Sequence, residues 1–304
     1  MDSGRRIGRY RLVRQIGKGG IGSVFKAISE PDGLQVAIKV MHPKWIADPR
    51  VVESFLKEER LAKALRHHSF VEIFDCGQLP NGETFLVMEM LKGERLSCRL
   101  RRFPQGAPIG WVLELARQIA NAMTIAHDCA IFHCDLKPAN LMLIADPKRP
   151  GVERVKILDL GFAKIGGSLQ FAASDTDMSV ESGFVMGTPG YMAPEQCVGS
   201  SQIDGQTDVY SLGIILYEAL SGRRPFEARS VADLMNQHVR SSPMALRQLR
   251  FEIPTTVAQL VEQQLSKRAT ERPTMRALAA AATAAIHQYS QKQSPPFFCV
   301  LKAA

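Results

Sequence analysis

Along the first ninety residues, short runs of aliphatic, β-branched and aromatic side chains alternate with turn formers. YRLVRQI, GSVFKAI, LQVAIKVM, FVEIFDCG and TFLVMEM each have the length and composition of a strand. PDG at 31–33 and PNG at 80–82 fall between such runs and predict hairpin turns. One segment breaks the rhythm. VVESFLKEERLAKALR, 51–66, carries apolar residues at Phe55, Leu56, Ala62 and Leu65 and predicts a helix. The N-terminal part therefore reads as an antiparallel sheet with one helix.

After Leu91 the period changes. WVLELARQIANAMTIAHDCA, 111–130, predicts a long, mostly buried helix. DVYSLGIILYEALSG, 208–222, predicts another, stopped by Gly222. TVAQLVEQQLS and TMRALAAAATAAIHQY predict two more. LMLI at 141–144 and VKIL at 155–158 predict a small strand pair joined by a charged, turn-rich surface loop. No repeat of 20–50 residues is present. The pattern gives an α+β class, sheet first and helices after, ending in a tail, QKQSPPFFCVLKAA.

Composition narrows the class without changing it. The chain has 304 residues, 45% hydrophobic and 22% charged, enough for one large domain or two lobes with a sizeable core. The net charge is +8. Lysines and arginines are scattered, with small clusters only at Arg5–Arg6, Arg99–Arg102 and Arg223–Arg224. A nucleic-acid binder concentrates its charge on one face, so the expectation is a basic enzyme with phosphate-bearing substrates and no nucleic-acid partner. The six cysteines form no CxxC pair and no zinc spacing, which fits free thiols in a reducing cytoplasm. The first residues lack the apolar core of a secretory signal, and ALAAAATAAI, 277–286, is too short to span a bilayer and reads as a buried helix. A cytoplasmic protein with no membrane span is expected.

Three segments carry candidate chemistry. IGKGGIGSV, 16–24, fits GxGxxG through Gly17, Gly19 and Gly22. Glycines let backbone N–H groups approach a phosphate. A dinucleotide-binding version would open a helix; here a strand follows, which favours a lid over ATP, with a simple flexible turn as the bland alternative. Lys39 ends the strand run VAIK, where phosphate oxygens or a carboxylate such as Glu58 could receive its ammonium. HCDLKPAN, 133–140, puts an acid (Asp135), a lysine (Lys137) and an amide (Asn140) in one short loop, a set suited to a hydroxyl, a phosphate and a magnesium ion.

With these segments in order, followed by DLG at 159–161 and GTPGYMAPE at 187–195, the chain resembles the eukaryotic-type protein kinases over roughly residues 10–285, in the flavour of the bacterial Ser/Thr kinases. The resemblance implies a bilobal kinase fold, with a small N-lobe over about 10–90 and a mostly helical C-lobe over about 91–285, residues 286–304 forming a C-terminal tail. It implies ATP and Mg2+ as cofactors and protein Ser/Thr hydroxyls as acceptors. Asp135 would accept or orient the hydroxyl proton, and Lys137 would neutralise the transferred phosphoryl group. Asn140 and Asp159 would ligate magnesium, and Lys39 would hold the α/β-phosphates and pair with Glu58. The nucleotide would lie under Ile16, Gly17, Lys18, Gly19, Gly20, Ile21, Gly22, Ser23 and Val24, with Ala37 and Leu143 also lining the adenine. The backbone of Glu89 and Leu91 would read the adenine edge, with Met88 as gatekeeper. Glu195 would pair with Arg272, and Asp208 would hold the backbone of the catalytic loop.

Three positions depart from the pattern: Leu160 for the Phe of DFG, Ile21 at the tip of the glycine-rich loop, and Cys134 for the arginine before the catalytic acid. Cysteine cannot make the bidentate contact an arginine makes to a phosphorylated residue. The change bears on regulation, so an active enzyme with reduced dependence on loop phosphorylation is expected. Ser174, Thr176, Ser179 and Ser182 are either autophosphorylation sites or polar residues of a flexible loop. A partner-binding pseudokinase and a small-molecule kinase are the competing readings. The complete catalytic set argues against the first and the GTPGYMAPE segment against the second.

Overall fold

The computed structural model describes residues 4–65, 67–160, 164–165 and 189–292, and the statements below concern these. The activation-segment hydroxyls at 174, 176, 179 and 182, and the tail beyond 292, lie outside them. The chain divides into two units: residues 1–92 with 158–162, and residues 93–157 with 163–304.

In the first unit the strands are β1 (Arg6–Ile7), β2 (Tyr10–Lys18), β3 (Gly22–Ser29), β4 (Gln35–Met41), β5 (Ile73–Gln78) and β6 (Thr84–Glu89), with helix α1 (Pro49–Leu65) between β4 and β5. They form an antiparallel sheet in the order β1-β2-β3-β4-β6-β5. Both predicted turns sit between paired strands. Gly33 and Gly82 adopt φ of 68° and 84°, and Asp32 Oδ1 accepts the Leu34 N–H at 3.0 Å. Side chains alternate between the faces of a strand. Tyr10, Leu12, Phe25, Ala27, Ile38, Val40, Phe85 and Val87 build one core cluster. The opposite face carries Val24, Ala37, Lys39, Leu86 and Met88, with Val24 opposite Lys39 and Lys39 opposite Leu86. There Phe55 of α1 packs with Met41 and Leu86. The buried positions of α1 are Ser54, Phe55, Glu58, Leu61 and Leu65. The expected stripe through Leu56 and Ala62 is rotated, because the face turned inward also carries a carboxylate, Glu58, whose partner is Lys39.

In the second unit, β7 (Gly93–Arg95), α2 (Leu96–Leu100), α3 (Ile109–Asp128), β8 (Ile131–Phe132), β9 (Leu141–Ala145), β10 (Glu153–Ile157) and β11 (Lys164–Ile165) are followed by α4 (Pro194–Cys197), α5 (Gly205–Ser221), α6 (Val231–Arg240), α7 (Leu246–Leu249), α8 (Thr255–Gln264) and α9 (Met275–Lys292). The predicted strand pair is β9–β10, extended by β7 into three strands. Helix α5 buries 13 of its 17 residues, which places it in the core of this unit. Gly222 ends it at φ 80°, and its N–H returns to the Glu218 carbonyl at 2.8 Å. Stretch 277–286 is only half buried. Leu278, Ala279 and Ala282 face inward while Ala280, Thr283 and Ala284 are exposed, so it is an amphipathic surface helix rather than a buried one. Among the described residues no helix is long and apolar enough to cross a membrane. The five described cysteines form no disulfide.

Candidate active site

The first unit gathers one set of predicted residues. Strands β2 and β3 meet in a hairpin whose turn is Gly19-Gly20-Ile21, closed by the Gly19 N–H on the Gly22 carbonyl at 2.9 Å. Gly22 is required by space, since a Cβ there would lie 2.5 Å from the Val40 carbonyl oxygen. Lys39, in the middle of the sheet face, donates from Nζ to Glu58 Oε2 and to Asp159 Oδ1, each at 2.8 Å. Burial works against the Lys39 charge, but Asp159 and Glu58 outweigh it and hold the ammonium above its ordinary pKa. Burial pushes Glu58 upward against the pull of Lys39. Asp159 sits at φ 61°, a left-handed conformation that aspartate tolerates better than bulkier residues, and Leu160 behind it is buried. Ala37 is buried and Ile16 is exposed. The Glu89 N–H is committed to the Glu72 carbonyl at 3.0 Å.

The second unit gathers the other set on the loop between β8 and β9. His133 and Leu136 are fully buried and anchor it. Asp135 Oδ2 lies 2.6 Å from Lys137 Nζ and accepts from Asn140 Nδ2 at 3.1 Å. The same Nδ2 donates to the Asp135 carbonyl at 3.0 Å. The Asn140 amide nitrogen thus bridges the main chain and the side chain of Asp135. Leu143 is buried on β9, three residues beyond Asn140.

The loop is held from below by a carboxylate. Asp208 of α5 is fully buried and accepts the backbone N–H of His133 at 2.9 Å and of Cys134 at 2.8 Å, with His127 Nε2 at 2.9 Å. Burial alone would raise its pKa, but His127, His133 and these hydrogen bonds bring it below the usual carboxylate range. Cys134 adopts φ 62°, its carbonyl accepts from Gln196 Nε2 at 2.7 Å, and its thiol lies 3.4 Å from the Phe132 carbonyl. Glu195 and Arg272 form a bidentate pair at 2.8 and 2.9 Å, and the guanidinium is buried. His127, His133 and Gln196 were not singled out from the sequence. No local pattern announces a histidine on a long helix as the partner of an aspartate 81 positions away.

Known proteins resemble this chain in sequence and in fold. The model of the protein kinase domain matches residues 10–287. Among curated proteins, the serine/threonine-protein kinase pkn3 of Myxococcus xanthus is 35% identical over 268 residues, which is 87% of this chain and 47% of that protein. The serine/threonine-protein kinase PknA of Mycobacterium tuberculosis is 35% identical over 264 residues, 86% of this chain and 57% of that protein. The chain thus spans about half the length of these relatives. A crystal structure of the PknI kinase domain of Mycobacterium tuberculosis overlays with a TM-score of 0.69 at 22% identity, covering 94% of this chain and 99% of that one, which establishes the fold. With the motifs in order and a family match over most of its length, the chain belongs to the protein kinase family.

Proposed function

We propose that the chain transfers the γ-phosphoryl group of ATP to Ser and Thr hydroxyls of proteins. The observation that carries this is the Asp135–Lys137–Asn140 cluster, in which a buried acid is paired with an ammonium and an amide on one loop. A hydroxyl held by Asp135 passes its proton to that carboxylate as its oxygen bonds to the γ-phosphorus. The bond to the ADP oxygen breaks, and Lys137 offsets the charge on the group in transit. Phosphoryl transfer demands mainly positioning and charge stabilisation, and both are supplied by groups locked in hydrogen bonds before substrate arrives.

The first unit's set would bind the nucleotide. The Gly19–Gly22 turn offers backbone N–H groups, Lys39 offers a charge fixed between two carboxylates, and the Glu89 carbonyl and Leu91 backbone would read the adenine edge. Magnesium fits the donors present. Each unit offers a hard oxygen that suits the ion, the Asp159 carboxylate in the first and the Asn140 amide oxygen in the second, and Mg2+ is commonly held by one or two such groups together with substrate phosphates. When bound, it would neutralise charge on the phosphate chain.

Cys134 supports regulation without a phosphate-bound arginine. The backbone at 134 is fixed by Asp208 and Gln196, so the loop has its shape from within. The PknA and pkn3 likeness supports protein acceptors over small molecules, and the intact cluster disfavours a scaffold. The test is labelled ATP with magnesium, offered a generic basic protein and, separately, small hydroxylated acceptors. Label on protein Ser and Thr is expected; label only on a small acceptor would replace this reading.

A further inference from the structure

The residues just past β4 reach back to the glycine-rich turn, and no part of the expected ATP site accounts for them. Pro43 disfavours the helical region for the residue before it, and His42 is extended, at φ −71° and ψ 141°. The ladder therefore continues one residue beyond the strand, with the His42 N–H donating to the Ile21 carbonyl at 2.8 Å. His42 Nε2 and the Ser23 hydroxyl are 3.0 Å apart. The chain then makes a 3-10 turn at Pro43–Trp45, with the Trp45 N–H on the His42 carbonyl at 3.0 Å. That reversal brings the Trp45 indole N–H onto the Gly20 carbonyl at 2.9 Å. Ile21 and Trp45 both pack against Met41, Phe55 and Leu86, and Lys44 lies over the indole at 4.8 Å.

These contacts hold the turn at Gly20 and Ile21 and the start of β3 at Ser23. A trans peptide is planar, with C=O and N–H pointing opposite ways. Fixing the Gly20 carbonyl on Trp45 thus points the Ile21 N–H away from the indole. A glycine-rich turn left to itself would spread over many conformations, and ordering it on binding has an entropic cost.

We infer that Trp45, with His42, is a positioning residue for the nucleotide: it pre-sets the phosphate-facing amides of the glycine-rich turn through the Gly20 carbonyl. Ile21 completes the arrangement, since an aliphatic side chain packs into the cluster that holds the indole. The inference rests on the kinase reading, because it assigns the turn to ATP.

Two measurements test it. Trp45→Phe keeps a ring in the cluster and removes the N–H. The KM for ATP should rise roughly fivefold, the worth of about one net hydrogen bond, with kcat within about twofold and the melting midpoint of the nucleotide-free protein lowered by no more than about 2–4 °C, the share of that one bond. A purely structural role would lower the melting midpoint and kcat together. The chain has two tryptophans, so Trp111→Phe leaves Trp45 as sole emitter. ATP should then change its emission saturably, at the concentrations that saturate the reaction. An unchanged KM in Trp45→Phe, or emission indifferent to ATP that the protein does bind, overturns the inference alone. A wild-type chain that binds no ATP overturns it together with the kinase reading.

Discussion

Asp208 carries no substrate, yet it fixes the main chain that presents Asp135. Its two oxygens receive two buried backbone N–H groups and the nitrogen of the half-buried His127. Asp208→Asn trades one acceptor oxygen for an NH2 group that faces another donor. A buried group left unsatisfied costs about 1–3 kcal/mol, more where a charge is involved. Urea unfolding of the variant should show a loss of about 2–4 kcal/mol; a loss under about 0.5 kcal/mol would mean the loop is held by something else. Lys39, Asp135, Lys137 and Asn140 stood out as candidates because VAIK and HCDLKPAN are local patterns, and Glu58 as a carboxylate on the next helix; Asp159 entered only with the family resemblance. Asp208 was legible only through the family resemblance. Trp45 was not legible, because its role depends on a 3-10 turn that directs the indole backward, and WIADP has no periodic signal.

Elements were legible in proportion to their periodicity. Strands β2 to β6 stood out as β-rich runs bounded by turn formers, and α3 and α5 are long apolar helices. Strands β7, β8 and β11 have three, two and two residues, too short for any alternation to register. Helix α6 went unread although it has a start signal: Ser230 accepts the Asp233 N–H at 3.0 Å and donates to its carboxylate at 2.7 Å. The α4 helix is tied to the segment before α9 by Glu195 and Arg272. Arg272 also donates to the carbonyls of Gln206, Ser266 and Lys267. Burial raises the Glu195 pKa, but Arg272 more than reverses it. Arg272→Ala strands that carboxylate and three carbonyls, and removing one partner of a buried pair commonly costs about 3–5 kcal/mol. A comparable drop in unfolding free energy is expected, and a near-neutral variant would show the pair to be replaceable.

At the scale of the molecule, acid should weaken the fold from about pH 6.5 downward through one buried histidine. His238 is fully buried among Tyr210, Lys267 and Arg224. Burial, then the neighbouring charges of Lys267 and Arg224, push its pKa down from 6.5 to about 4. The unfolded chain takes up this proton near pH 6.5 and the folded chain only near 4, so the stabilisation is complete above 6.5 and fades between these values. The fall should be roughly 3 kcal/mol, and His238→Gln should flatten it. A wild-type melting midpoint that is constant from pH 6.5 to 4.5 would contradict this. The phosphoryl transfer proposed for the Asp135 loop is tested by comparing the wild-type chain with Asp135→Asn for transfer of labelled γ-phosphate to protein Ser and Thr, with ATP binding measured on both. Wild-type transfer that falls by about 10²–10⁴-fold in the variant, while ATP binding persists, is the predicted result; equal transfer by the two proteins, or none by the wild type despite bound ATP and magnesium, would contradict it.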